Sequence, residues 1–232
     1  MEVAEGVHQL GDGHVNWWAV EHHGRLTLID SGLRGGWKNV PGALAGLGRT
    51  TADVEAVLLT HAHPDHTGGA EKLRQAGARI HAHEADEPHI SGPPARPTVA
   101  NVVGVLSWLH RPAFARAAAH FVRDGLLWPE RVAELATFAD DEVLDVPGRP
   151  RVLHLPGHTP GSCGLVFEER GLVFTGDALV THDVYSGRSG PRLSARASNE
   201  DSQAALASLQ RGDLDVDLVL PGHGPAWTGG AS

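Results

Sequence analysis

A single cysteine, Cys163, has no partner for an intramolecular disulfide, as expected of a chain that folds in a reducing compartment. Basic residues are outnumbered, 19 Lys and Arg against 28 Asp and Glu, and they form no cluster. The resulting net charge of −9 repels a phosphate backbone, so nucleic acid is excluded as a main partner. No apolar run approaches the roughly 20 residues of a membrane span. The first residues, MEVAEGVHQLGDG, carry acids and no long apolar stretch, so they do not read as a secretory signal. No repeat at solenoid period and no low-complexity tract is present. These absences predict a cytoplasmic protein with no membrane partner.

What remains is the composition of an ordinary globular protein, 41% hydrophobic and 20% charged. The 29 glycines and 15 prolines, spread along the chain, predict many short elements joined by tight turns. Length alone admits one large domain or two small ones. Strand-like runs occur at Val15–Val20, Leu26–Ile29, Val57–Leu59, Arg79–His81, Val143–Leu144, Val152–His154, Leu165–Phe167, Leu172–Phe174 and Leu218–Leu220. Helices are predicted over 38–48, over 67–75 with Gly77 as stop, and from about Asn199 with Leu206 and Leu209 on one face. Strand and helix thus alternate in both halves. Between the halves, residues 87–140 open with the Pro-rich SGPPARP and predict helices at Val99–Leu106, Phe114–Val122 and Arg131–Phe138, with Pro129 suited to a helix start. This is a helical insertion, or a lid whose Trp108, Phe114 and Trp128 line a pocket.

Sixteen histidines are the outstanding feature. His22, His23, His110 and His120 read as solvated or incidental. The informative ones stand at strand ends. After Val57–Leu59 come His61, His63, Asp65 and His66, in THAHPDHTGG; after Val152–Leu155 comes Pro156-Gly157-His158; after Leu172–Phe174 comes Gly176-Asp177; after Leu218–Leu220 comes Pro221-Gly222-His223. One such histidine is ordinary, whereas four strand ends each bearing a ligand-type side chain beside glycine point to a metal site. Imidazole with carboxylate suits zinc, iron or manganese. Five histidines and two aspartates exceed the three or four protein ligands of one zinc, which implies a pair of metals. Residues two apart on an extended segment point the same way, so His61 and His63 can reach one metal. Asp65 and His66, where the chain turns into a helix, can face another.

The HxHxDH motif at His61–His66, followed in order by His158, Asp177 and His223, resembles the metallo-β-lactamase-fold superfamily of hydrolases. The resemblance runs from Leu28-Ile29-Asp30-Ser31-Gly32 to Leu220-Pro221-Gly222-His223-Gly224. It implies an α/β fold, a four-layer αβ/βα sandwich, with residues 1–232 as one domain and 87–140 as the helical insertion. By the same resemblance His61, His63 and His158 hold the first metal, Asp65, His66 and His223 the second, and Asp177 bridges them. Asp30 matches an aspartate that is structural in the family. The cofactors implied are two divalent metal ions, zinc first, with iron or manganese as alternatives.

Two cations sharing a water would bring its pKa from near 16 to about neutrality, and the metal-bridging hydroxide would attack an electrophilic carbon or phosphorus. Asp65 is the candidate proton shuttle to the leaving group. Tyr185 is a candidate substrate contact, as a tyrosine soon after the bridging aspartate is in lactonase members, although here it lies eight residues on. His182 is a further candidate, and Arg188 one for an anionic substrate. Departures sort the branches. The commonest zinc β-lactamases have cysteine at the position of Asp177, and the flavodiiron branch has glutamate at that of His63. Glyoxalase II enzymes carry a C-terminal extension for which the nine residues after His223 are too few, and the tRNA-processing branch needs an RNA-binding arm. The reading is a metal-dependent hydrolase of a small ester-type substrate, lactone or thioester, acting as monomer or homodimer. The alternatives are a mononuclear iron persulfide dioxygenase-like enzyme and a non-catalytic metal-binding module.

Overall fold

A computed structural model describes residues 1–93, 99–211 and 216–228. Most of the Pro-rich segment 91–97 lies outside them. Seven strands form the first sheet in chain order: β1 Glu2–Ala4, β2 Val7–Gly11, β3 Asn16–His22, β4 Arg25–Ile29, β5 Val54–Leu59, β6 Arg79–His83 and β7 Ala136–Phe138. Those up to β4 pair antiparallel, and β4 to β7 pair parallel. The second sheet is built from β8 Arg151–His154, β9 Cys163–Phe167, β10 Leu172–Gly176, β13 Leu218–Pro221 and β14 Trp227–Thr228. A separate ribbon, β11 Val180–Asp183 with β12 Arg188–Arg192, follows β10.

The period-two alternation of strand side chains sorts the apolar residues into layers. Trp18, Val20, Ile29 and Leu58 of the first sheet meet Val152, Leu165, Phe167, Leu172 and Phe174 of the second in one buried cluster. Trp18 and Phe174 pack with ring centroids 5.8 Å apart. The alternate residues, Leu28, Val57, Leu59 and Ile80, face helices α1 Val40–Ala45, α3 Ala70–Gln75 and α4 Glu87–Ser91 through Leu44, Leu73 and Ile90. On the far side Leu153, Val166, Val173 and Val219 meet Leu209 of α7 Ser202–Leu209. Helices, sheet, sheet and helix make the four-layer sandwich that the resemblance implied. Strands with both faces buried read as continuous apolar runs, which is why they were visible as such.

Several elements differ from the sequence expectation. The helix over 67–75 is two pieces, α2 Pro64–Thr67 and α3, because the backbone of residues 31–34 passes against Gly68 and Gly69, where any side chain would collide with it. The helix over 38–48 is shorter, since a 3-10 turn, Arg34–Asn39, leads into α1. Val143 forms only an isolated bridge to Arg151. Helix α7 buries Ala205 and Ser208 and leaves Leu206 exposed. Among the described residues the segment 87–140 is helical only at α4, α5 Val99–Leu106 and α6 Pro112–Arg123; residues 131–138 are not a helix but lead into β7, which extends the first sheet along β6. Pro129 starts no helix.

Candidate metal centre and its cavity

Strand direction brings the four ligand-bearing ends together. In the second sheet β8 and β10 each run antiparallel to β9, and β10 runs parallel to β13, so β8, β10 and β13 end at the same edge. The end of β5 joins them where the Cys163 amide donates to the Thr60 carbonyl at 2.9 Å. Pro64 opens α2, and that single turn swings Asp65 and His66 inward.

All seven side chains singled out in the sequence converge. One ligand atom each from His61, His63 and His158 lies within 4.8 Å of the others, and the same holds for Asp65, His66 and His223. Asp177 touches both sets, its Oδ2 lying 3.5 Å from His158 Nε2 and 3.2 Å from His223 Nε2. His223 Nε2 is also 3.4 Å from Asp65 Oδ2. Among the described residues, His61 Nε2, His66 Nε2 and Asp177 Oδ1 are buried without a hydrogen-bond partner. Buried polar atoms are normally satisfied, and three such atoms aimed into a nitrogen and oxygen donor set of this composition fit divalent metal.

The opposite ring nitrogens are fixed from behind, which sets which nitrogen faces inward. His66 Nδ1 meets Asp30 Oδ2 at 2.8 Å, His158 Nδ1 meets Asn199 Oδ1 at 3.0 Å, and His223 Nδ1 meets the His14 carbonyl at 2.6 Å. Asp30, at a positive φ of 60°, also accepts from the Thr60 amide and hydroxyl, so it is a positioning group as the resemblance implied. Asn199→Ala is expected to weaken zinc binding about tenfold or more through loss of the His158 orientation, read by competition with a chromophoric chelator.

Burial and facing imidazoles lower the pKa of His61 and bring His158 to about 4. Burial also opposes charge on His66 and His223, but Asp65 and Asp177 outweigh it and raise His66 to about 9 and His223 well above the ordinary value. The same two histidines hold Asp65 and Asp177 ionised in spite of their burial.

Two groups escaped the sequence reading. Asp86, fully buried, accepts from the Ala62 amide at 2.8 Å, the Gly161 amide at 2.7 Å and the Thr159 hydroxyl at 2.6 Å, tying the loop that carries His61 and His63 to the loop that carries His158. His120 is not incidental: its Nε2 meets Asp12 Oδ2 at 2.7 Å, joining α6 to the loop whose His14 carbonyl holds His223. Cys163 is buried and its thiol pushed up by burial, which makes it a core residue.

A cavity of about 1050 Å³ opens above the cluster; His63, Asp65, His158, Asp177 and His223 line it, and His61 and His66 are buried behind them. Ile90, Phe121, Leu126, Leu127 and Val184 supply apolar wall. Tyr185 and His182 also line it. Trp108, Phe114 and Trp128 do not. Phe114 is buried and stacks on Tyr185 with centroids 4.8 Å apart, Trp108 meets the Tyr185 edge at 5.9 Å, and Trp128 is 62% exposed. Arg188 is exposed on β12 and outside the cavity.

The family model of the metallo-beta-lactamase superfamily matches residues 10–223. The probable metallo-hydrolase YflN of Bacillus subtilis is 28% identical, over 98% of this chain and 87% of its own length. The acyl-coenzyme A thioesterase MBLAC2 of Bos taurus is 26% identical, over 95% and 76%. Among solved structures, a metallo-beta-lactamase family protein from Thermus thermophilus is 27% identical with a TM-score of 0.67, over 98% and 76%. The BLEG-1 B3 metallo-beta-lactamase, 23% identical with a TM-score of 0.64 over 96% and 93%, is a likeness of fold.

Proposed function

Because the chain belongs to the metallo-beta-lactamase superfamily, we propose that it is a dinuclear metal-dependent hydrolase that cleaves a small ester-type substrate, a lactone or thioester. The observation that carries this reading is the meeting of seven donor side chains, three with unpartnered inward atoms, at the floor of an apolar-walled cavity. The metal set is His61, His63 and His158 for one ion, Asp65, His66 and His223 for the other, with Asp177 between them and zinc as the first candidate. The thioesterase relative supports the thioester arm. The protein is read as a single cytoplasmic domain, monomeric or homodimeric, with a small-molecule substrate.

When bound, the ions supply a water acidic enough to act near pH 7 and polarise the substrate carbonyl. The chain does the rest. Asp65, ionised and 3.4 Å from His223, is placed to take a proton from the attacking water and return it to the leaving group. Tyr185 keeps its proton, because burial, reinforced by Asp65 and Asp177, pushes it up to about 12; its hydroxyl can therefore only serve as a neutral hydrogen-bonding group toward the substrate oxygen. His182 offers a second polar contact at the wall. The apolar residues facing the floor limit access of bulk water.

The test is proton release in weak buffer by zinc-loaded protein offered lactones, thioesters and phosphodiesters. Release on a lactone or thioester, abolished by chelation, is the expected result; silence on both classes would overturn the reading. Metal uptake should also be pH-dependent. His61 and His158 are neutral at pH 7, whereas His66, with its pKa raised to about 9, must lose a proton to bind a cation. His223, raised well above its ordinary value, must lose one as well, so affinity of the second ion should fall by up to about a hundredfold per unit as pH drops from 8 to 6, more steeply than that of the first. Calorimetric zinc titrations in buffers of different ionisation enthalpy check this, and equal slopes for both ions would contradict it.

A further inference from the structure

The cavity is larger than the scissile group alone requires. At about 1050 Å³ it stands at the top of the range of sites that bury drug-sized ligands. Its lining combines two chemistries. His and Asp donors form the metal cluster, and Ile90, Phe121, Leu126, Leu127 and Val184 add apolar surface. The segment between α6 and β7 adds Arg131, the only Lys or Arg among the described lining residues. The neighbouring carboxylate does not neutralise it: Glu130 pairs with Arg34, 3.4 Å away, while Arg131 is exposed and has no partner among the described residues. Glu130, Asp183 and Glu200 also line the cavity, so in a chain of net charge −9 an unpaired arginine at its lining is a selective feature for an anion.

We propose that the substrate is an amphiphilic acyl compound: its ester-type carbonyl sits at the floor, an apolar chain lies along the wall, and an anionic group, carboxylate, sulfonate or phosphate, pairs with Arg131. Arg131 is then a specificity residue that acts on binding and takes no part in bond breaking. The proposal rests on the hydrolase reading for the scissile group and on the cavity alone for the anion subsite.

Two measurements separate these. In the first, zinc-loaded protein is titrated calorimetrically with decanesulfonate and with decanol. The wild type should bind the sulfonate about two- to fivefold tighter, the scale of an exposed ion pair screened by solvent. Arg131→Gln should remove that gap, and Arg116→Gln, an exposed α6 arginine outside the cavity, should keep it. In the second, 4-nitrophenyl decanoate is compared with the mono-4-nitrophenyl ester of decanedioic acid, which differ only in the distal carboxylate. The acidic ester should show the lower KM in the wild type, kcat should match between the two, and Arg131→Gln should raise KM for the acidic ester alone. Equal binding of sulfonate and alcohol, or a gap that persists in Arg131→Gln, overturns the subsite. A binding gap that vanishes in Arg131→Gln, with no turnover of either ester, upholds the subsite and sinks the hydrolase reading.

Discussion

Replacing Asp177 by alanine is expected to lower turnover on the order of a thousandfold and to leave one metal ion bound where the wild type holds two. The carboxylate touches both donor sets, through His158 and His223, and its Oδ1 has no hydrogen-bond partner among the described residues. Close backbone approaches fix its position. Gly176 before it adopts a left-handed φ of 49°, and a side chain there would collide with Thr60. Gly222 lies so close to Asp177 and His66 that a methyl group would displace them. Asp177→Asn keeps the shape and removes the charge, so it separates the two contributions: the same loss in Asn as in Ala assigns the effect to the carboxylate's charge and ligand capacity. Elemental analysis and kcat on the same preparation read both quantities. Two ions bound and unchanged turnover in Asp177→Ala would contradict the assignment.

Asp86→Ala should have the largest effect on stability. Two backbone amides and one hydroxyl converge on this buried carboxylate, and each donor left unpaired in the interior costs about 1–3 kcal/mol. A loss of about 3 kcal/mol or more is expected, equal to a fall of roughly 6–12 °C in Tm for a chain of this size. The same change should weaken zinc binding by about tenfold or more, because Ala62 lies between His61 and His63 and Thr159 follows His158. Asp86→Asn is the second variant, since it retains one acceptor oxygen and should lie between wild type and Ala. Wild-type Tm and wild-type zinc affinity in Asp86→Ala would show that the tether does not hold the two loops.

The seven converging residues were legible because histidine and aspartate have few other reasons to gather at the ends of short apolar runs, and because β8, β10 and β13 share a direction that carries those ends to one edge. The layers were legible for a related reason: buried strands write themselves as runs such as Val57-Leu58-Leu59. Asp86 was not legible, since its partners lie 24, 73 and 75 residues away and a lone aspartate after a strand carries no local signal. Strand β7 was missed for want of length, three residues whose pairing with β6 outweighs local preference. The break at Gly68 and Gly69 depends on a crossing by residues 31–34, which no local pattern records. Trp108, Phe114 and Trp128 attracted attention by size; Phe121 and Leu127, spaced beside them in the same segment, are the residues that reach the cavity.

The most direct test of the central claim is the rate of proton release from a lactone or thioester substrate as zinc is added to metal-free protein in measured equivalents. The rate should rise to a plateau at two zinc ions per chain and disappear on chelation. A plateau at one ion would contradict the paired site, and no proton release at any loading would contradict the hydrolase itself.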